Sequence, residues 1–145
     1  MPVLTDLAAV RDRLESARTI AVLGAHADPW RAGHYVPEYL QAQGYRIVPV
    51  NPSLAGRTLW GEPVRATLAE VSEPVDLVDV FRRREHLVGH FPELLAMSPR
   101  PRTVWFQLGI RDDVVAEALA DAGFDVVQDR CTLADHRHFG LGTRR

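Results

Sequence analysis

Short runs of apolar residues alternate along this chain with longer stretches in which apolar side chains recur every three or four positions. Continuous apolar runs are typical of strands buried in a parallel sheet, and they predict five strands, at 19–23, 46–50, 75–81, 102–108 and 124–128. The longer stretches predict amphipathic helices. Strands that alternate with helices pair in parallel through right-handed crossovers, so the pattern predicts a doubly wound, Rossmann-like α/β fold with helices on both faces.

Residues at the predicted helix ends support these assignments. Asp112 is placed to cap a helix that Gly123 ends, because glycine tolerates the left-handed conformation that often follows a helix. Pro37 is expected in the first turn of a helix that ends before Gly44. Pro92 lies in the middle of the apolar pattern at 83–97, so we expect a kink or two short helices there.

The strand order follows from the same pattern. Numbering the predicted strands along the chain, we expect the order 3-2-1-4-5. Ligands of such sheets bind outside the carboxyl ends of the strands where the order reverses, here between the first and fourth strands. The strand ends at Leu23, Val50, Val80 and Gln107 should therefore surround one crevice.

The segment 19–52 carries most of the functional information. It reads as a βαβ unit in which an apolar strand ends at Gly24 and a loop then leads into a helix. Such a loop can aim backbone N–H groups and a helix N-terminus at a phosphate. The G-x-G-x-x-G pattern of NAD sites is absent, and the second strand ends at Asn51 rather than at the carboxylate that would hold a ribose diol. The segment predicts a phosphate-bearing ligand other than NAD.

Composition narrows the class of protein. The 145 residues predict a single domain with its core at about 19–136 and a flexible tail at 140–145. A net charge of -2 argues against a general nucleic-acid or membrane binder, and no segment approaches the roughly 20 apolar residues of a membrane span. One cysteine, Cys131, excludes an internal disulfide, so we expect a cytoplasmic protein.

Five groups of residues follow one another between Thr19 and His136: Ile20-Ala-Val-Leu-Gly-Ala25 with Asp28-Pro29, Gly44-Tyr45 with Pro49-Val-Asn-Pro52, Val75-Asp-Leu-Val-Asp-Val-Phe-Arg82, Trp105-Phe-Gln-Leu-Gly-Ile110, and Asp129-Arg-Cys131 with Asp135-His136. In this order they resemble the small stand-alone CoA-binding domain proteins, whose Rossmann-like module is similar to the N-terminal domain of the succinyl-CoA synthetase α subunit. The resemblance implies coenzyme A as the ligand. Two positions depart from the family pattern: His26 stands where Ser is common, and Asp135 where Glu is usual.

The resemblance and the strand ends together imply a set of ligand-contacting residues. These are Gly24, Ala25, His26, Ala27, Arg31, Asn51, Phe81 and Arg82. The loop N–H groups and Arg31 would hold the diphosphate, the ring of Phe81 would stack on adenine, and Arg82 would meet the 3′-phosphate of CoA. Three of these residues also have a structural interpretation: Gly24 and Asn51 suit tight turns, and His26 could simply point into water.

The sequence holds few ingredients for catalysis. A thiol at Cys131 and an imidazole at His136 are five residues apart, which does not make a nucleophile pair, and we expect Cys131 to be buried and structural. Asp135, His136 and His138 have no matching ligand cluster elsewhere, so we predict a surface or capping role for them and no metal site.

The sequence therefore predicts a non-catalytic protein that binds CoA or an acyl-CoA, with a protein partner or a second copy of the chain as a further possibility. Two other functions stay open. One is an NAD(P)-binding redox sensor or truncated reductase, since the arginines could receive the 2′-phosphate of NADP. The other is a regulatory interaction protein whose crevice is empty.

Overall fold

A computed structural model describes residues 2–143 and contains, within that range, seven strands and five α-helices. The strands are β1 (Thr19–Leu23), β2 (Arg46–Val50), β3 (Thr58–Leu59), β4 (Glu62–Pro63), β5 (Leu77–Val80), β6 (Thr103–Phe106) and β7 (Asp125–Val127). The helices are α1 (Leu7–Ser16), α2 (Ala32–Ala42), α3 (Leu87–Ala96), α4 (Asp113–Asp121) and α5 (Thr132–His138). The predicted α/β fold is confirmed.

The five longer strands form one parallel sheet in the order β2-β1-β5-β6-β7. In the numbering of the predicted strands this is 2-1-3-4-5, so the predicted order 3-2-1-4-5 is wrong. The third strand returns to pair with the first instead of extending the sheet beyond the second. The physical reason lies in β2, because Pro49 has no N–H to donate to a further strand and proline is confined to sheet edges.

A loop segment closes this edge of the sheet. The N–H of Arg65 donates to the carbonyl of Pro49 at 3.0 Å, and the N–H of Asn51 donates to the carbonyl of Arg65 at 2.9 Å. Arg65 and Arg46 also pair with the carboxylates of Glu62 and Glu73. The loop segment and these ion pairs thus cover the outer edge of β2, which discourages pairing with another strand.

Each face of the sheet is packed against helices, giving three layers. Leu87 of α3 and Leu119 of α4 are buried in the apolar cluster on one face. Leu14 of α1 and Leu40 of α2 are buried in the cluster on the other face, which Leu133 of α5 also contacts. With both faces covered, the strands are mostly apolar, as the sequence predicted, with Asp79 of β5, Thr103 of β6 and Asp125 of β7 as buried polar exceptions.

The two helix-breaking prolines behave differently from the predictions. Helix α3 continues through Pro92, preceded by a short 3-10 turn at Arg84–His86, so a division into two helices at Pro92 was wrong, and a kink there stays a prediction. Pro37 lies near the middle of α2 rather than in its first turn. Its missing N–H leaves the carbonyl of Gly33, four residues earlier, free to accept another bond.

The end of the chain is packed as far as the structure describes it. Leu141 contacts the apolar cluster that α1 and α2 cover. The hydroxyl of Thr143 donates to the side-chain carbonyl of Gln43 at 3.1 Å. The rest of the predicted tail, Arg144 and Arg145, lies outside the described residues. Among residues 2–143, no helix has the length and apolar character needed to cross a membrane.

Candidate functional site

A crevice opens at the carboxyl ends of the strands, where β1 and β5 lie side by side. From β1 the chain crosses to β2 at one edge of the sheet, whereas from β5 it crosses to β6 in the other direction, so the loops diverge above this point. The crevice therefore lies between the first and third of the predicted strands, not between the first and fourth. Its volume is about 360 Å³, and its walls are Gly24, His26, Arg31, Ala32, Gly33, Tyr35, Val36, Phe81, Gln107, Leu108, Ile110 and Cys131.

Two glycines allow the chain to pack tightly at the base of the crevice. Gly24 has φ +94°, and a Cβ atom there would lie 2.9 Å from the carbonyl oxygen of Phe81. A Cβ atom on Gly33 would lie 2.8 Å from the carbonyl oxygen of Gly24. Helix α2 thus begins almost in contact with the end of β1, which serves the close helix-to-strand packing that glycines provide in nucleotide-binding folds.

The loop between these glycines is held by its own hydrogen bonds. The carbonyl of Gly33, left free by Pro37, accepts from the N–H of His26 at 3.1 Å. The side chain of Asp28 accepts from the N–H of Trp30 at 3.0 Å, and its carbonyl accepts from the N–H of Arg31 at 3.0 Å. The loop is consequently a fixed turn that leads into α2.

Three backbone N–H groups of this loop and helix start have no partner among residues 2–143. They belong to Ala27, Ala32 and Gly33. Ala32 and Gly33 are the first two residues of α2 and line the crevice, so their donors and the positive end of the helix dipole lie at its wall. The exposed guanidinium of Arg31 adds a cation at the same wall. This arrangement suits a phosphate group.

His26 lies in the crevice wall with one ring nitrogen already used. Its Nδ1 accepts from the N–H of Asp28 at 3.0 Å, which places the proton of the neutral ring on Nε2. Its carbonyl oxygen accepts from the Nδ1–H of His34 at 2.7 Å. The ring of His26 is thereby oriented, with an N–H donor left for a ligand.

Asn51 joins the end of β2 to the loop after β1. Its side-chain NH₂ donates to the carbonyl of Ala25 at 2.8 Å, and its side-chain oxygen accepts from the N–H of Ser53 at 2.8 Å. Ala25 is fully buried, and its N–H donates to the carbonyl of Val50 at 3.3 Å. Asn51 and Ala25 therefore position the loop; their contact with a ligand stays a prediction.

Phe81 and Arg82 diverge at the end of β5. Phe81 is half-buried and lines the main crevice. Arg82 lines a smaller pocket of about 70 Å³ on the other side of Gly24, where its Nε donates to Nε2 of His90 at 3.3 Å. Nδ1 of His90 in turn donates to the carboxylate of Glu93 at 2.5 Å. The structure thus brings Gly24, His26, Arg31 and Phe81 to one crevice and places Asn51 and Arg82 beside it.

A polar cluster formed by Asp79, Gln107 and Thr132 lies under the crevice floor, and of these the sequence pointed only to Gln107, at its strand end. The side-chain NH₂ of Gln107 donates to Oδ1 of Asp79 at 2.8 Å and to Oγ1 of Thr132 at 2.7 Å, and the Thr132 hydroxyl donates to Oδ2 of Asp79 at 3.0 Å. Burial raises the pKa of Asp79 to about 7, while the bonds from Gln107 and Thr132 act in the opposite direction. A carboxylate within the apolar run of β5 was the available signal.

Cys131 and its neighbours occupy other positions than expected. Cys131 is half-buried and lines the crevice, so the prediction of a buried thiol was wrong. His136 is buried rather than at the surface, with Nδ1 2.8 Å from the hydroxyl of Tyr39. Asp135 forms a two-point ion pair with Arg130 at 2.6 and 2.8 Å. These last contacts fasten α5 to α2 and to the loop that follows β7.

Comparison with known proteins shows the family and the fold of this chain. Residues 18–137 match the model of the CoA binding domain family. Uncharacterized protein YneT of Bacillus subtilis (strain 168) is 33% identical over 129 residues, which cover 89% of this chain and 93% of that protein. The solved structure of cell-free ID.343 from Thermus thermophilus is 48% identical with a TM-score of 0.87, over 92% of this chain and 98% of that one.

A hypothetical protein from Pyrococcus horikoshii OT3 has a TM-score of 0.84 at 23% identity, over 92% of each chain, and shares the fold. The family model covers most of the chain and includes β1, the loop that follows it and the residues that line the crevice. This chain belongs to the CoA-binding domain family.

Proposed function

We propose that this protein binds coenzyme A or an acyl-CoA in the crevice between β1 and β5, without acting on it chemically. The observation that carries the proposal is the pair of N–H donors on Ala32 and Gly33 at the crevice wall beside Arg31, with a third on Ala27 in the same loop, none of which has a partner among residues 2–143. A diphosphate is the part of CoA that needs such donors. The Nε2–H of His26 adds a donor where the family commonly has a serine hydroxyl.

The adenosine end is proposed to lie toward the end of β5. The ring of Phe81 forms part of the crevice wall and offers a face for adenine. Arg82 lies next to Gly24 but holds His90, so its guanidinium would have to serve the 3′-phosphate from the neighbouring pocket. A cation at that point would distinguish CoA from dephospho-CoA.

The surroundings of the Cys131 thiol support the proposal that the protein does not catalyse a reaction of its ligand. Within residues 2–143, Cys131 forms no hydrogen bond to a histidine or carboxylate that could act as its base. His136 faces Tyr39, and Asp135 is held by Arg130. Acyl-CoA incubated with the pure protein should therefore stay intact, and cleavage that disappears in Cys131→Ser would contradict this.

Isothermal titration calorimetry with CoA, dephospho-CoA and NAD tests the binding proposal. We expect CoA to bind more tightly than NAD, because β2 is followed by Asn51 and offers no carboxylate for a ribose diol. Arg82→Ala should weaken CoA more than dephospho-CoA, and the difference should shrink as salt is added. Arg83→Ala, an exposed neighbour outside the crevice, is the matched control. Tighter binding of NAD than of CoA would reject the proposal.

A further inference from the structure

The floor of the crevice carries one polar side chain, Gln107, whose orientation is set from below. Asp79 and Thr132 are fully buried, and Gln107 is 4% exposed at the cavity wall. Both protons of the Gln107 NH₂ are used, one by Asp79 and one by Thr132. The Thr132 hydroxyl is used by the second oxygen of Asp79.

Because both NH₂ protons of Gln107 are used inside the cluster, its side-chain carbonyl is the group that can face the crevice. Its Oε1 has no hydrogen-bond partner among residues 2–143, yet it is not one of the buried side-chain atoms that lack a partner there. The atom therefore retains access to the cavity that Gln107 lines. An amide held in this way presents an acceptor and no donor to whatever binds above it.

We propose that Gln107 is a ligand-contacting residue whose Oε1 accepts a hydrogen bond from an amide N–H of the pantetheine arm, and that Asp79 and Thr132 fix this orientation. The inference rests on the proposed binding of CoA. The arm carries two secondary amides, so it brings N–H donors into a crevice whose other walls include the apolar side chains of Val36, Phe81 and Ile110. A buried acceptor there would select for a donor at a fixed distance along the arm.

Protonation of Asp79 would change which polar group of Gln107 faces the ligand. A neutral carboxyl has a proton to donate, and the Gln107 amide can receive it by turning its carbonyl inward, which exposes the NH₂ to the ligand. Because burial raises the pKa of Asp79 to about 7, both forms are populated near neutral pH. Acidification should therefore weaken the contact with an N–H of the arm.

The groups packed around Asp79 leave it as the titrating member of the cluster. Val22 of β1 and Trp105 of β6 are its neighbours in the sheet. Helix α5 contributes Thr132, and its ionisable side chains have other contacts: Asp135 pairs with Arg130, and His136 faces the hydroxyl of Tyr39. The thiol of Cys131 lies at the start of the same helix.

Calorimetry with CoA and with adenosine 3′,5′-bisphosphate, which lacks the arm, tests the contact. Gln107→Met keeps the length of the side chain without its amide, and we expect it to weaken CoA about tenfold while leaving the bisphosphate unchanged. Equal losses for both ligands, or no loss for CoA, would overturn the inference. If wild-type protein binds neither ligand, the proposed function fails as well, so the two failures are distinguishable.

NMR of the wild-type protein without ligand tests the coupling and needs no variant that must fold. The side-chain NH₂ signals of Gln107 should shift between pH 6 and 8 together with the carboxyl carbon of Asp79. Affinity for CoA should fall as pH is lowered through the same range, and Asp79→Asn should abolish that dependence. Signals of Gln107 that stay constant while Asp79 titrates would overturn the coupling.

Discussion

At the scale of single residues, the site depends on two positions where a side chain has no room. Gly24→Ala adds a Cβ 2.9 Å from a backbone oxygen at φ +94°, and Gly33→Ala adds one 2.8 Å from another. We expect each change to lower the free energy of unfolding by about 1–3 kcal/mol and to weaken CoA binding, because the loop must move. Urea unfolding and calorimetry measure the two effects.

Two other glycines provide controls for that prediction. Gly109 has φ +86° with no atom within 4 Å of an added Cβ, so Gly109→Ala isolates the cost of the backbone angle. Gly89 is helical with the same free space, and Gly89→Ala should raise the free energy of unfolding by about 0.5–1 kcal/mol. If Gly33→Ala proved as harmless as Gly89→Ala, the close approach of α2 to β1 would be wrong.

Phe81 allows stacking to be separated from packing. Its half-buried ring contacts the apolar cluster beneath α2 and also lines the crevice. Phe81→Ala should weaken CoA by about 1–3 kcal/mol, the range for a base on an aromatic side chain, and should also lower stability. Phe81→Leu keeps much of the packing but has no flat face. CoA affinity unchanged in Phe81→Leu would contradict stacking.

Asp79 gives the protein a pH-dependent stability. Its pKa of about 7 lies above the ordinary aspartate value of 3.8, so the folded state binds its proton more tightly than the unfolded state does. The stabilisation is complete below about pH 4 and is lost as pH rises to about 7, with a slope of up to about 1.4 kcal/mol per pH unit. Urea unfolding of wild type and Asp79→Asn between pH 5 and 8 measures it. Parallel curves for the two proteins would contradict this account.

At the scale of elements, the loop after β1 is fastened to the end of β2 by Asn51. Asn51→Ala removes the bonds to the carbonyl of Ala25 and to the N–H of Ser53, and should cost about 1–3 kcal/mol of stability while weakening CoA. Asn51→Asp keeps the acceptor for Ser53 but cannot donate to Ala25. If chemical denaturation and CoA titration showed Asn51→Ala to be neutral, the loop would not depend on this connection.

The apolar pattern predicted where the strands lie in the sequence. It did not predict their order in the sheet, for which Pro49 was the signal. Apolar periodicity located all five main strands because each is buried on both faces. It could not order them, since order depends on long-range pairing. Pro49 was the signal for an edge strand. Pro37 shows a similar limit, because only the folded loop reveals that His26 uses the carbonyl that Pro37 leaves free.

At the scale of the whole molecule, the sequence identified the crevice more successfully than the roles of its residues. Gly24, His26, Arg31 and Phe81 line it, because residues at the ends of neighbouring strands converge, and their contact with a ligand stays a prediction. Gln107, at a predicted strand end, lines it too, whereas Cys131 at its wall and Asp79 beneath it were not expected there. The roles of these residues depend on the side chains that lie beneath the strand ends. One of those side chains, Thr132, belongs to α5, near the end of the chain.

Binding of the CoA diphosphate to the start of α2 can be followed by an NMR titration of ¹⁵N-labelled protein with CoA. We expect the largest shifts at the backbone amides of Ala27, Ala32 and Gly33, which have no partner among residues 2–143. The exposed residues Val88 and Val114, on the opposite face of the sheet, should stay unchanged. Saturable binding of CoA that leaves those three amides unmoved would contradict the account.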